Sequence, residues 1–417
     1  MSDIRFEGWL HRTGTGGVYQ DSAGNVGIAS TQPKTRLDIQ NGAFQIGPAG
    51  ICTATTVNTT NIINATPLSH RNKVINGAML VAQRGTSHSP GASDQVYTLD
   101  RFQHVATTGV SFDATVTQDS SVPDGFSKSY KVTPDATNTP TGGGNGVVRQ
   151  IIEGQNAQDF AYGTSSAKQV TVSFYAKSSS TNNGDQYTFQ LRHFATDATK
   201  RSINAPFTIT SSFQRFTFTF DGDTAVDVID SIAAGVELDW ILAAGPDDIA
   251  SQHTSWTTTN LFTAVTGQDN FIDNTSNEFY LTGVQLEIGS VATPFEHRTI
   301  GEELTRCQRY YYTTRGGSVG NPNSDSAGFF GVPLNSSGSG FGIATFPVPM
   351  RVVPTVVLYD GNGGTSGQFT QHGNNYFAGT ASGINQNGFN LVSRSSGTLN
   401  DDANMTLNAG FTANGEI

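Results

Sequence analysis

The chain has 417 residues, 36% hydrophobic and only 14% charged, with a net charge of −11, where an ordinary globular domain carries about 25% charged residues. Lys and Arg occur at most as isolated pairs, so the clustered cations that neutralise nucleic-acid phosphates are missing and nucleic acid is disfavoured as a partner. Two cysteines, Cys52 and Cys307, exclude a disulfide framework and a cysteine-based zinc site.

Forty-seven Gly and 26 Phe, with few Leu-rich or Lys/Glu-rich stretches, predict an all-β chain of many strands joined by turns. No apolar run approaches the roughly 20 residues of a membrane span, and the start MSDIRFEGWL lacks the basic and apolar regions of a signal peptide. The expectation is a chain made in a cytoplasm, without membrane insertion.

In chain order, residues 1–70 alternate turn clusters with short apolar-alternating pieces around Val26 and Ile28, Leu37 and Ile39, and Phe44 and Ile46. Strands this short bury little within one chain, and winding together with identical copies would complete their core. This segment is therefore expected to be an intertwined attachment and trimerisation region. From about residue 71 to 298 strand signals recur at intervals of ten to thirty residues. Val170, Val172, Phe174 and Ala176 share one face of a strand, Phe216, Phe218 and Phe220 alternate with threonines, and Val284, Leu286 and Ile288 alternate with Gln285 and Glu287. Half-buried strands with long polar loops predict an antiparallel jelly-roll sandwich.

Residues 299–312 predict a linking helix. Thr299 and Glu302 form a capping-box pattern, Glu302 and Arg306 an i, i+4 pair, and Ile300, Leu304, Cys307 and Tyr311 fall along one stripe. A three-turn helix is marginal alone, so that stripe needs the flank of a sandwich or the same helix of neighbouring chains. Residues 313–417 predict a second, smaller sandwich, with Pro347, Pro349 and Pro354 marking edge strands or strand starts.

Cys307 with His297, ten residues earlier, is the first candidate for nucleophilic chemistry. The thiol falls on the apolar stripe, however, where a thiolate is desolvated, so an inert buried cysteine is the better reading. The carboxylates Asp221, Asp223, Asp227, Asp230, Glu237, Asp239, Asp247 and Asp248 offer no spacing that singles out a glycosidase pair, and FDGDTAVDVID departs from a calcium-loop pattern. The Gly-rich pieces TGGGNG and GSGFG lack the strand, helix and Lys-Ser/Thr context of a phosphate cradle, and no histidine pairing suits a metal. No cofactor, no metal and no enzymatic activity are expected. Sugar binding relies on an exposed aromatic face with planar polar groups; Trp256, in a Thr-rich loop, and His372 and Tyr376, in QHGNNYF, fit that description. Loop-to-core anchoring is the alternative for Trp256, and Trp240 is expected in the core.

Several stretches resemble bacteriophage fibre proteins. GNVGIASTQPKTRLDI, from Gly24 to Ile39, resembles a unit recurrent in phage tail fibres, with Ala29 where glycine is usual. NKVINGAMLVAQRG, YTLDRFQ and FYLTGVQLEIGSVATPFEHRTIGEELTRCQRYYY resemble blocks that frame a carbohydrate-binding-module-like jelly roll in phage fibre and receptor-binding proteins. The resemblance implies a homotrimeric virion fibre, joined to other tail or virion proteins through its N-terminal segment and meeting a host glycan or other receptor through β domains further out, with residues 313–417 as the candidate tip. It identifies no ligand residue. A structural virion fibre or capsid-decorating protein without direct receptor contact and a glycan-degrading tail protein are the competing expectations.

Overall fold

The computed structural model describes residues 8–10, 17–20, 22–28, 37–39, 44–46, 52–54, 70–258, 262–314, 330–333, 340–360, 367–371, 375–393 and 406–417. Two compact units divide between Ala65 and Thr66.

In the first unit six strands of three or four residues, Gly8–Leu10, Gly17–Gln20, Val26–Ile28, Leu37–Ile39, Phe44–Ile46 and Cys52–Ala54, pair in chain order in one sheet. All neighbours are antiparallel except Val26–Ile28 and Leu37–Ile39, which run parallel with Val26 opposite Leu37. The short apolar pieces seen in the sequence thus pair with one another within the chain.

The second unit is built around a two-sheet antiparallel sandwich. One sheet runs in the order Gln214–Phe220, Val170–Ser178, Phe279–Ile288, Ser129–Pro134, Ala114–Asp119, Ser87–His88. The other runs Thr257–Thr258, Lys200–Thr208, Gln186–Phe194, Ala234–Ala244, Asn145–Glu153, Phe102–Ala106, Gln95–Tyr97. The core between them takes Val170, Val172, Phe174 and Ala176 from the first sheet and Phe189, Leu191, Leu238 and Trp240 from the second. Alternation puts every second residue of each strand inward. Trp240 stands edge-on to Phe174 and Phe189, each 5.4 Å away between ring centres.

The central strand Phe279–Ile288 buries its polar face as well. Glu287 accepts hydrogen bonds from Thr293 N and Oγ1 at 2.9 and 2.7 Å, and Gln285 Oε1 accepts from Glu296 N at 2.8 Å. The loop that follows the strand therefore folds back and clamps it. At Gly283, φ is +61° and an added Cβ would lie 2.7 Å from Phe126 and 2.8 Å from Tyr175, so only glycine fits the irregularity in pairing there.

The helix spans Ile300–Gln308. Thr299 Oγ1 accepts from Glu302 N at 3.3 Å, and Glu302 pairs with Arg306 at 2.9 Å. It buries Glu303 and Cys307, and Tyr310 is buried just beyond its end; of the expected stripe only Cys307 is fully buried, while Ile300 is 57% exposed and Leu304 and Tyr311 are half-buried. The difference has a polar cause. Glu303 accepts from the backbone N–H of Asn76 at 2.5 Å and faces Arg298, so a carboxylate is buried beside Cys307.

Beyond the helix, strand Thr406–Asn414 pairs with Tyr311–Thr313, Phe330–Pro333, Thr355–Asp360 and Gln368–Gln371. The long strand Asn375–Asn385 gives its first half to Gln368–Gln371 and its second half to Gly388–Ser393, which in turn pairs with Gly340–Thr345. Phe346, Met350, Leu358, Phe389, Leu391 and Phe411 fill the small core between these ladders. Pro354 immediately precedes a strand, the place expected for a residue that cannot donate to a ladder.

Candidate functional site

The outward face of the seven-stranded sheet is polar where its inward face is aromatic. Register places Tyr97, Gln103, Arg149, Asp239, Gln190 and Asn204 directly opposite one another on successive strands, one row across six strands. Two residues along, Ile151, Glu237, Arg192 and Ser202 form the neighbouring row.

Four of these side chains form a buried ionic square. Arg149 Nε lies 2.7 Å from Asp239 Oδ1 and its Nη1 3.6 Å from Glu237, Arg192 Nε lies 3.2 Å from Asp239 Oδ2, and Arg192 Nη2 meets Glu237. The ring of Phe262 covers both guanidinium groups, its centre 4.7 Å from that of Arg149 and 4.1 Å from that of Arg192. Burial works against the charge on Arg149, yet Asp239 and Glu237 outweigh it and push its pKa up. The loop after strand Ala234–Ala244 seals one flank. Asn204 Nδ2 donates to Thr263 O at 2.9 Å, His253 N donates to Asn204 Oδ1 at 2.7 Å, and Ala264 packs on Val105, Val147 and Ile241.

The row opens at its other end. Between the edge strand Gln95–Tyr97 and the tail Asn414–Ile417 lies a cleft of about 520 Å³, with Gln103 in its wall and Val352 and Val353 on its far side. Gln103 is 3% exposed, and its Oε1 has no hydrogen-bond partner among the described residues. Tyr97 donates its hydroxyl to Ile417 O at 3.3 Å, and burial raises that phenol to about 12.

The tail is fixed by charge. The Glu416 carboxylate lies 3.0 Å from Arg84 Nη2 and also meets Arg101, which donates to Ile151 O at 2.6 Å. Tyr310 and Tyr311 place their rings 3.6 and 3.7 Å from the guanidinium carbons of Arg101 and Arg84. Arg351 donates to Gly415 O at 2.8 Å and to Ile232 O and Glu416 O at 2.6 Å each. Here the sandwich, the helix and the C-terminal strands meet in one joint. Asn76, at φ +61°, supplies its hub: its side chain donates to Val81 O and Asp100 O and accepts from Val81 N, all at 2.9 Å.

The candidates singled out in the sequence lie elsewhere. Trp256 is half-buried: its Nε1 donates to Asp221 O at 2.7 Å, and its ring stands edge-on to His193 and Tyr162, 4.9 and 5.5 Å away. That is the anchoring arrangement. His372 and the side chain of Tyr376 lie outside the described residues. Cys307 is fully buried, and burial pushes its thiol up, away from the thiolate. His297 rests against Phe126 and Phe295. Asp223 holds buried His193 at 2.8 Å and also Arg201, while Asp248 accepts from Gly144 N at 2.7 Å. No group of three or more His, Cys, Asp or Glu residues among the described residues could hold a metal ion.

Sequence reasoning missed the polar row, although a signal was there. Arg149, Arg192, Glu237 and Asp239 interrupt strands that otherwise read as apolar, and paired charges inside such strands mark a sheet face covered by something other than solvent.

No protein-family model matches the chain, and no curated protein does. Among solved structures, the enzymatically active domain of tailspike protein 4 from bacteriophage CBA120 is similar at 14% identity and a TM-score of 0.29, over 52% of this chain and 21% of that one. The present chain thus spans about a fifth of the tailspike chain's length. The CBM22-1 xylan-binding domain of Paenibacillus barcinonensis Xyn10C is similar at 10% identity and a TM-score of 0.25, over 49% of this chain and 94% of that one. The family 11 carbohydrate-binding module of Clostridium thermocellum Lic26A-Cel5E is similar at 12% identity and a TM-score of 0.25, over 50% and 96%. Likenesses at this level carry no ligand and no role over to this chain.

Proposed function

We propose that this chain is a bacteriophage tail fibre protein, non-enzymatic and homotrimeric, that attaches the particle to its host by binding a surface glycan or other receptor. The observation that carries the reading is the open end of the polar row, the cleft lined by Tyr97 and Gln103. From Arg149 to Asn204 the row is buried, and it meets a cleft where Gln103 has unsatisfied hydrogen-bonding capacity beside the ring of Tyr97. Sugar hydroxyls are recognised by groups of this kind. The phage-fibre resemblance of the stretches that frame the sandwich supports the virion setting, and the outward Ile300 and half-buried Leu304 leave an apolar edge for neighbouring copies. Three weak sites on one fibre would gain avidity together.

A structural fibre without receptor contact is the second reading. The buried joint around Glu416 favours it, because a rigid connector is also what a passive fibre needs. Antibodies against residues 313–417 separate the two on intact particles: blocked adsorption is expected, whereas unchanged adsorption supports the structural reading. A glycan hydrolase is the third reading; the row's own carboxylates, Glu237 and Asp239, each hold arginines.

A further inference from the structure

We infer that the cleft between strand Gln95–Tyr97 and the tail Asn414–Ile417 binds one uncharged sugar, and that the site exists only because the C-terminal strands are docked on the sandwich. The inference deepens the glycan-binding reading above and rests on it.

The cleft's volume of about 520 Å³ lies in the range of roughly 300–1,000 Å³ typical of small-ligand sites. Its walls come from both sides of the joint: Gln95, Tyr97 and Gln103 from the sandwich, and Val353, Thr355 and Asn414 from the C-terminal strands. Gln103 Oε1 is buried and without a partner among the described residues, so it is an acceptor left with capacity inside the wall. An unpaired buried acceptor costs free energy, and a ligand hydroxyl removes that cost. The lining also selects against charge. Its carboxylate, Glu416, is already held by Arg84 and Arg101, and those arginines are themselves committed to it and to tyrosine rings. What remains is amide, hydroxyl, the main-chain oxygen of Ile417 and apolar surface, with Val353 60% exposed at the rim. A pyranose matches it, because hydroxyls at the ring edge meet amides while its C–H face lies on aliphatic and aromatic carbon.

The test uses the full chain with methyl-labelled Val and Ile, titrated with methyl glucoside, methyl galactoside, methyl mannoside and, as the charged comparison, galacturonate. At least one neutral glycoside is expected to shift the Val352, Val353 and Ile417 methyl signals saturably, and galacturonate to leave them in place. Gln103→Ala is expected to weaken binding about tenfold, as loss of one good hydrogen bond does. Val353→Asp, at an exposed position that leaves folding intact, is expected to abolish it. Binding equally strong in both variants, or methyl signals that stay fixed while the full chain still retains glycans on an array, overturns the cleft and leaves the attachment reading standing. Fixed signals together with no glycan retained on the array overturn both.

Discussion

Asn76 and Gly77 show how one dipeptide sets a joint. Asn76 takes the left-handed conformation that asparagine tolerates better than most residues, and its amide ties Val81 and Asp100. At Gly77 an added Cβ would come within 2.1 Å of Val284 O. The sequence made this pair stand out only through its resemblance to fibre proteins, because a hub's partners are up to 227 residues away and periodicity carries no such information. His104 gives a prediction at the same scale. It is fully buried, donating its Nε2–H to Phe112 O at 2.8 Å, and burial lowers its pKa to about 4 from an ordinary 6.5. Folded protein therefore resists a proton that unfolded protein accepts, so stability is lost as pH falls from about 6.5 towards 4, by about 3 kcal/mol in all. Urea unfolding at pH 7 and pH 4.5 is expected to show a smaller loss in His104→Gln than in the unmodified chain. An identical loss in both would show that His104 titrates elsewhere.

Strands were legible where one face is apolar. Val170 to Ala176 alternate inward as their period of two requires, and Val284 and Leu286 do the same. The helix was legible from its cap and from its Glu302–Arg306 pair, but its buried face was not, because Glu303 turns inward to meet Asn76 N–H and Arg298. Nothing in local sequence reveals a carboxylate that is drawn inward by a backbone N–H from 227 residues away. The ionic square was hidden for the same reason: Arg149 and Asp239 are 90 residues apart and become neighbours only through register. At the joint, Glu416 is the element whose loss exposes the design. Replacing it with alanine leaves buried Arg101 without its carboxylate and Arg84 with only Asp100, 3.9 Å away, and breaking a buried pair costs about 3–5 kcal/mol. Chemical denaturation of Glu416→Ala is expected to show a loss of that size, with earlier proteolysis of residues 313–417. A change within about 0.5 kcal/mol, the range of an ordinary surface substitution, would mean that the joint is held by something else.

At the scale of the molecule, a sandwich with an aromatic interior buries a polar row on one outer sheet face, and a joint of arginines, tyrosines and one glutamate docks the C-terminal strands against its edge. Three of the four stretches that resemble phage fibres build this joint: Asn76 and Gln83 from residues 72–85, Asp100 and Arg101 from residues 97–103, and Glu303 and Tyr310 from residues 279–312. The candidate site was less legible than the fold, because an aromatic-rich loop such as that of Trp256 looks the same in sequence whether its ring faces a ligand or, as here, His193 and Tyr162. The central claim is glycan-mediated attachment, and its most direct test is incubation of the purified full chain on an array of bacterial surface glycans. Saturable retention on a restricted set of glycans, competed by the free sugar, is the result this account predicts; a chain that is folded by circular dichroism and retained by none of them would contradict it.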